Sequence, residues 1–156
     1  LLSLARSFVS SPIEEKGLPA VPFFLDLFDQ SVEECGELCV ESPEGASLIS
    51  EAIGAIGNSA FPMLIRSLSS NNLYRKKRAL YALSRMEQFD KKMALWLVSA
   101  LRDPNKDIHE CAEKLVLKKM EIREIAQEVE RASRWSDKDA ASRARGVIDR
   151  YKANSN

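Results

Sequence analysis

The chain has 156 residues, 45% of them hydrophobic and 29% charged, with 23 Lys or Arg against 23 Asp or Glu. That length can bury a core, and the composition is that of a globular protein. It excludes a low-complexity chain, and no apolar run approaches the ~18 residues of a membrane span.

Leu1 to Ser10 carries apolar residues at positions 1, 2, 4, 5, 8 and 9, a helical stripe that Ser11-Pro12 breaks. This opening has a single Arg and no clear cleavage site, so it does not read as a signal peptide. A start at Leu1 without an initiator Met is what a piece of a longer chain is expected to show. Leu18 to Phe28 reads as a helix with Pro19 and Pro22 in its opening turn, where a missing N–H costs little. Ser31 with Glu34 forms a capping box for a helix over 31–41 that carries Val32, Cys35, Leu38 and Cys39. After the turn Ser42-Pro43-Glu44-Gly45, a helix over 46–56 places Leu48, Ile49, Ala52, Ile53 and Ile56 on one face, and Gly57 suits its C-terminal end.

Ala60 to Ser69 reads as the next helix and Ser69 to Asn72 as a polar turn. The helix that follows, Leu73 to Met86, turns Leu73, Ala79, Leu80, Ala82, Leu83 and Met86 inward. It opens on the cationic run Arg75-Lys76-Lys77-Arg78. Lys91 to Leu101 is expected to bury Leu95, Trp96, Val98 and Leu101. Past the turn Arg102-Asp103-Pro104-Asn105, Asp107 is expected to cap a helix bearing Ile108, Cys111, Ala112, Leu115 and Val116 and running to about Met120. Asp107 and Glu110 in its first turn suit the helix dipole. Ile122 to Trp135 is amphipathic, with Ile122, Ile125, Ala126, Val129 and Ala132 at helical spacing. Ser136 or Asp137 caps a last helix with Ala140, Ala141, Ala144, Val147, Ile148 and Tyr151 on one face. Arg143, Arg145, Arg150 and Lys152 lie on the other, and a frayed tail is expected from Lys152. No segment reads as a strand, so the expected class is all-α.

Two internal repetitions stand out. A shift of 33 residues lays Leu64 on Leu97, Leu68 on Leu101, Asn72 on Asn105, Ala79 on Ala112 and Leu83 on Val116. AVPFFLDLF, from Ala20, also aligns with AFPMLIRSL, from Ala60, with Pro22 and Pro62 in register. Periods of this size mark helical solenoids. The stretch AIGAIGNSAFPMLIRSL with the later YRKKRALYALS resembles the HEAT-like (PBS-lyase-type) repeat, and LVSALRDPNKDIHECAEKLV fits the same frame. Arg78 departs from it, standing where the family prefers a small residue. The resemblance implies one domain over 1–156, an α-α superhelix of about four helix pairs. Its clearest repeats span 50–117 and its capping helices 121–152. The helices at 31–41, 46–56, 73–86 and 107–119 would build a concave surface.

No nucleotide-binding glycine motif, no G-x-S-x-G and no C-x-x-C is present, and His109 is the sole histidine. No catalytic residue, metal or cofactor is therefore expected. Three cysteines, an odd number, point to a reducing compartment, here cytoplasmic, with Cys35 and Cys39 as buried thiols. Charge is uneven. Residues 1–70 hold three cations against ten acids, a net −7, and residues 71–156 hold twenty against thirteen, a net +7. Such a dipolar chain suits directional docking. The expected function is a non-enzymatic scaffold that binds a protein or peptide through Arg75, Lys76, Arg78, Arg85, His109, Glu113 and Lys114. A nucleic acid is an alternative partner for the cationic run, and a membrane is not expected. Ile108-His109-Glu110 resembles the His-Glu ligand motif of deoxyhypusine hydroxylase, and phycobilin lyases also use HEAT-like stacks, so a fragment of such an enzyme is the other alternative. Trp96 is expected in the core. Trp135, beside Arg131 and Arg134, is open between a helix cap and an interface anchor.

Overall fold

The computed structural model describes residues 57–86 and 88–155. The helices expected at 1–10, 18–28, 31–41 and 46–56, with Cys35 and Cys39, lie outside them. The chain divides into two compact units, Leu1–Gln88 and Phe89–Asn156. Among the described residues there are six α-helices and no strand. None of these helices is long and apolar enough to cross a membrane.

In the first unit, Gly57 takes φ +68°, a left-handed conformation that suits glycine. A 3₁₀ turn, Gly57–Ala60, leads into α1, Phe61–Leu68, with Pro62 in its first turn. Asn72 then starts α2, Leu73–Arg85. Its Oδ1 accepts from the backbone N–H groups of Tyr74 (3.0 Å) and Arg75 (3.1 Å), which have no partner inside the helix. α1 packs against α2. Ala60, Phe61 and Leu64 are buried on the first side, and Ala79, Leu80, Ala82, Leu83 and Met86 on the second.

In the second unit, Asp90 caps α3, Lys91–Ser99, accepting from Met93 N at 2.8 Å. A 3₁₀ turn, Ala100–Arg102, tightens its end. Asn105 caps α4, Lys106–Lys118. α5 is Arg123–Ala132, and Asp137 caps α6, Lys138–Asn154. α3 packs on α5, and α6 packs on both α4 and α5. Small residues on α6, namely Ala140, Ala141 and Ala144, let its neighbours approach closely, and Val147 continues that stripe.

The 33-residue offset recurs in the structure. α2 and α4 are both 13 residues long, both follow a capping asparagine, and both start 33 positions apart. Ala60, Phe61 and Leu64 are buried, and so are Met93, Ala94 and Leu97 at the same offset. Ala79, Ala82 and Leu83 correspond to Ala112, Leu115 and Val116, again all buried.

Four expectations shift. On α3 the buried residues are Met93, Ala94, Leu97 and Val98, followed by Leu101, whereas Leu95 is 49% exposed and Trp96 half-buried. The side bearing Leu95 also bears Lys91, Lys92, Ser99 and Arg102, so turning it inward would strip water from three cations. Asn105, and not Asp107, caps α4. The Asp107 N–H donates to Asn105 Oδ1 at 2.9 Å, and its carboxylate stands in the first turn. α5 ends at Ala132, short of Trp135, and its stripe includes the buried Glu128 while Ile122 and Ala126 are half-buried. α6 stays helical through Asn154 where a frayed tail is expected.

The rotation of α3 has a direct test. Leu97→Ala should cost about 2–5 kcal/mol of unfolding free energy, and Leu95→Ala should change it by less than about 0.5 kcal/mol. Urea denaturation followed by circular dichroism measures both, and equal losses would contradict the observed face.

Candidate functional site

The seven sequence-derived partner residues fall on α2 and α4, one helix in each unit. On α2 a position and its neighbours three and four residues away share a face. Arg75 and Lys76 lie one turn before the buried Ala79 and Leu80 and are half-buried. Arg78 is only 5% exposed, so it is no part of an open surface. It stands one turn before the buried Ala82, and at the 33-residue offset it matches the buried Cys111. Its three-carbon stem is buried there, and so is its Nε.

The outward line of α2 is Lys77, Tyr81 and Arg85, one turn apart each. Lys77 is half-buried, Tyr81 is 47% exposed and Arg85 is exposed. Arg85 is among the partner residues that the sequence suggests, and Lys77 and Tyr81 are not. The signal was available, because a residue four positions from both ends of a cationic line shares its face. At the repeat offset this line becomes Glu110, Lys114 and Lys118 on α4, and all three are exposed. Arg85 and Lys114 therefore hold an outward position in their own helices.

His109 and Glu113 are engaged elsewhere. His109 is half-buried, with Nδ1 3.0 Å from the Asp103 carbonyl oxygen, so the ring is tied to the turn before its own helix. Glu113 accepts from Arg150 Nη2 at 2.6 Å, and Arg150 Nε donates to the Gly146 carbonyl at 3.1 Å. Glu110, the neighbour of His109, pairs with Lys106 at 3.7 Å. Among the described residues no three His, Cys, Asp or Glu side chains stand close enough to hold a metal. Cys111 is buried and is not in a disulfide.

Between α4 and α6 runs an open groove of about 480 Å³, lined by Glu113, Asp139, Ser142, Arg143, Gly146 and Arg150. Its two carboxylates and two guanidinium groups balance. Arg143 Nη1 donates to the Leu101 carbonyl at 2.7 Å. No His or Cys lines the groove, so Ser142 has no imidazole base beside it for nucleophilic chemistry. Trp135 lies under the Arg102 guanidinium, 3.7 Å from its ring centroid, and so joins the turn after α5 to the turn after α3.

No family model, no curated protein and no solved structure matches the chain.

Gly146 sits inside a 17-residue helix, where glycine costs roughly 0.5–1 kcal/mol relative to alanine. A Cβ there would meet only Arg150 Nη2, at 3.9 Å. Gly146→Ala should therefore raise the unfolding free energy by about 0.5–1 kcal/mol. Scanning calorimetry checks this, and a lowered Tm would mean that the methyl group dislodges the Arg150–Glu113 pair.

Proposed function

We propose that the chain is a HEAT-like helical-repeat module, a non-enzymatic scaffold that binds an acidic protein or peptide through the outward side of α2. The repeat reading is supported by helix length, capping asparagine and burial pattern that recur together at a 33-residue offset. In such stacks the second helix of each pair lines the binding surface, and α2 and α4 are the second helices.

The observation that carries the binding reading is Tyr81. A tyrosine 47% exposed, with Lys77 one turn before it and Arg85 one turn after, offers a rigid aromatic face between two cations. Interfaces draw their energy from residues of this kind, and cations around them steer acidic partners. The mechanism is complementarity of shape and charge, and it requires no reacting group.

The test is a pull-down from a nuclease-treated lysate, read by mass spectrometry and followed by titration of the captured protein. Tyr81→Ala and Arg85→Glu should each weaken that complex about tenfold or more, and added salt should weaken the wild-type complex. Arg78→Met should leave affinity within about threefold, since its side chain is buried. A complex indifferent to Tyr81 and Arg85 would refute this surface. Capture of nucleic acid in an untreated lysate, with none of protein, would replace it with a phosphate-binding role.

A further inference from the structure

α3 buries one side and leaves the other open. The open side bears Lys91, Lys92, Leu95 and Ser99, and the 3₁₀ turn adds Arg102. From Lys91 to Arg102 there are three cations and no Asp or Glu. Leu95 is 49% exposed in the middle of this stretch, and Trp96 beside it is half-buried. Arg102 is exposed and forms no ion pair with a carboxylate among the described residues. Its guanidinium is nevertheless held in place, 3.7 Å above the centre of the Trp135 ring. Stacking fixes the plane of the fork and leaves its edges free to donate, so little side-chain freedom remains to be lost on binding.

The geometry indicates the kind of occupant. Leu95 and Arg102 are seven residues apart, four along an α-helix and three along a 3₁₀ turn. At ~1.5 and ~2.0 Å per residue this places them about 12 Å apart along the axis, roughly on the same side. A partner α-helix spans that distance in seven or eight residues, about two turns. We propose that this side of α3 docks an acidic amphipathic helix of a partner protein. An apolar side chain of the partner sits on Leu95 and Trp96, and a carboxylate two turns away is held bidentately by Arg102. This proposal rests on α3 alone and stands or falls independently of the reading of α2.

The experiment displays helical peptides with randomised outward positions on phage and selects them on the whole chain. The best sequences are then titrated by calorimetry. Enriched peptides should carry Asp or Glu two turns from Leu, Ile, Phe or Met. Leu95→Asp and Arg102→Glu should each weaken binding at least tenfold, and Arg85→Glu on α2 should not. A peptide with Arg in place of the selected carboxylate should bind Arg102→Glu more tightly than it binds the wild type. Circular dichroism confirms that each variant is folded, and Leu95→Gln and Arg102→Gln replace any that is not. No enrichment, enrichment of basic peptides, or binding indifferent to both positions would overturn the proposal. So would concentration-dependent dimerisation lost in Leu95→Asp, which assigns the face to a second copy. Binding to phosphatidylserine vesicles lost in the same variants would assign it to a membrane surface and overturn it equally.

Discussion

The second unit depends on a buried carbonyl. α3 ends in a tightened turn, and the residue there, Leu101, is fully buried. The last carbonyls of a helix have no partner within it, and leaving one dry and unbonded is costly. Arg143, 42 residues further along the chain, donates to the Leu101 oxygen. That bond carries a full charge on the donor, which makes it stronger than a neutral one. It fixes α6 against the end of α3, so the position of the last helix follows from the need to satisfy the third.

The same helix repeats the device. Arg145 donates to the Ser133 carbonyl just past α5, and Arg150 pairs with Glu113 on α4. Three arginines spaced along α6 thus reach three different elements. A cationic outer face on a terminal helix reads in the sequence as a solvated cap. Here its heads act as ties. Glu128 follows a related rule. It interrupts the apolar stripe Ile125, Val129 and Ala132, is 5% exposed, and is bonded by Arg131 one turn ahead at 2.8 Å. A buried carboxylate is tolerated because its counter-charge travels on the same turn.

Much of the described fold could be read directly from the residues, because period and capping chemistry are local. Asp137 marks a helix start, and Ala79, Ala112 and Val147 sit inward as their spacing requires. Where the inward face differs from the expected one, each case has a physical reason. The run Met93 to Val98 is apolar at every position, so its hydrophobicity points nowhere, and only the lysines and Arg102 on one side decide which face stays wet. The run Arg75 to Arg78 is cationic at every position and fails in the opposite sense. Four consecutive residues sweep most of a helix's circumference, so some must face inward, and Arg78 does. Of the residues expected to bind a partner, Arg85 and Lys114 stand on outward lines. His109 and Glu113 are taken up by the Asp103 carbonyl and by Arg150, partners that come from the fold and leave no mark in the local pattern. Lys77 and Tyr81 share an outward line that the charge run alone does not mark, since Tyr81 lies one turn beyond Lys77.

The matched pair of 13-residue helices has a consequence for how such a chain can change length. An insertion of 33 residues leaves the capping asparagines and inward alanines in phase with what precedes and follows. A single residue inserted within either helix rotates the rest of that helix by about 100° and turns a buried stripe toward water. A whole quantum of 33 residues would thus add a helix start, a cap and an inward face together. Each added quantum would also bring its own outward line, as Lys77, Tyr81 and Arg85 are answered by Glu110, Lys114 and Lys118. Those outward residues are free to diverge because the inward ones keep the count.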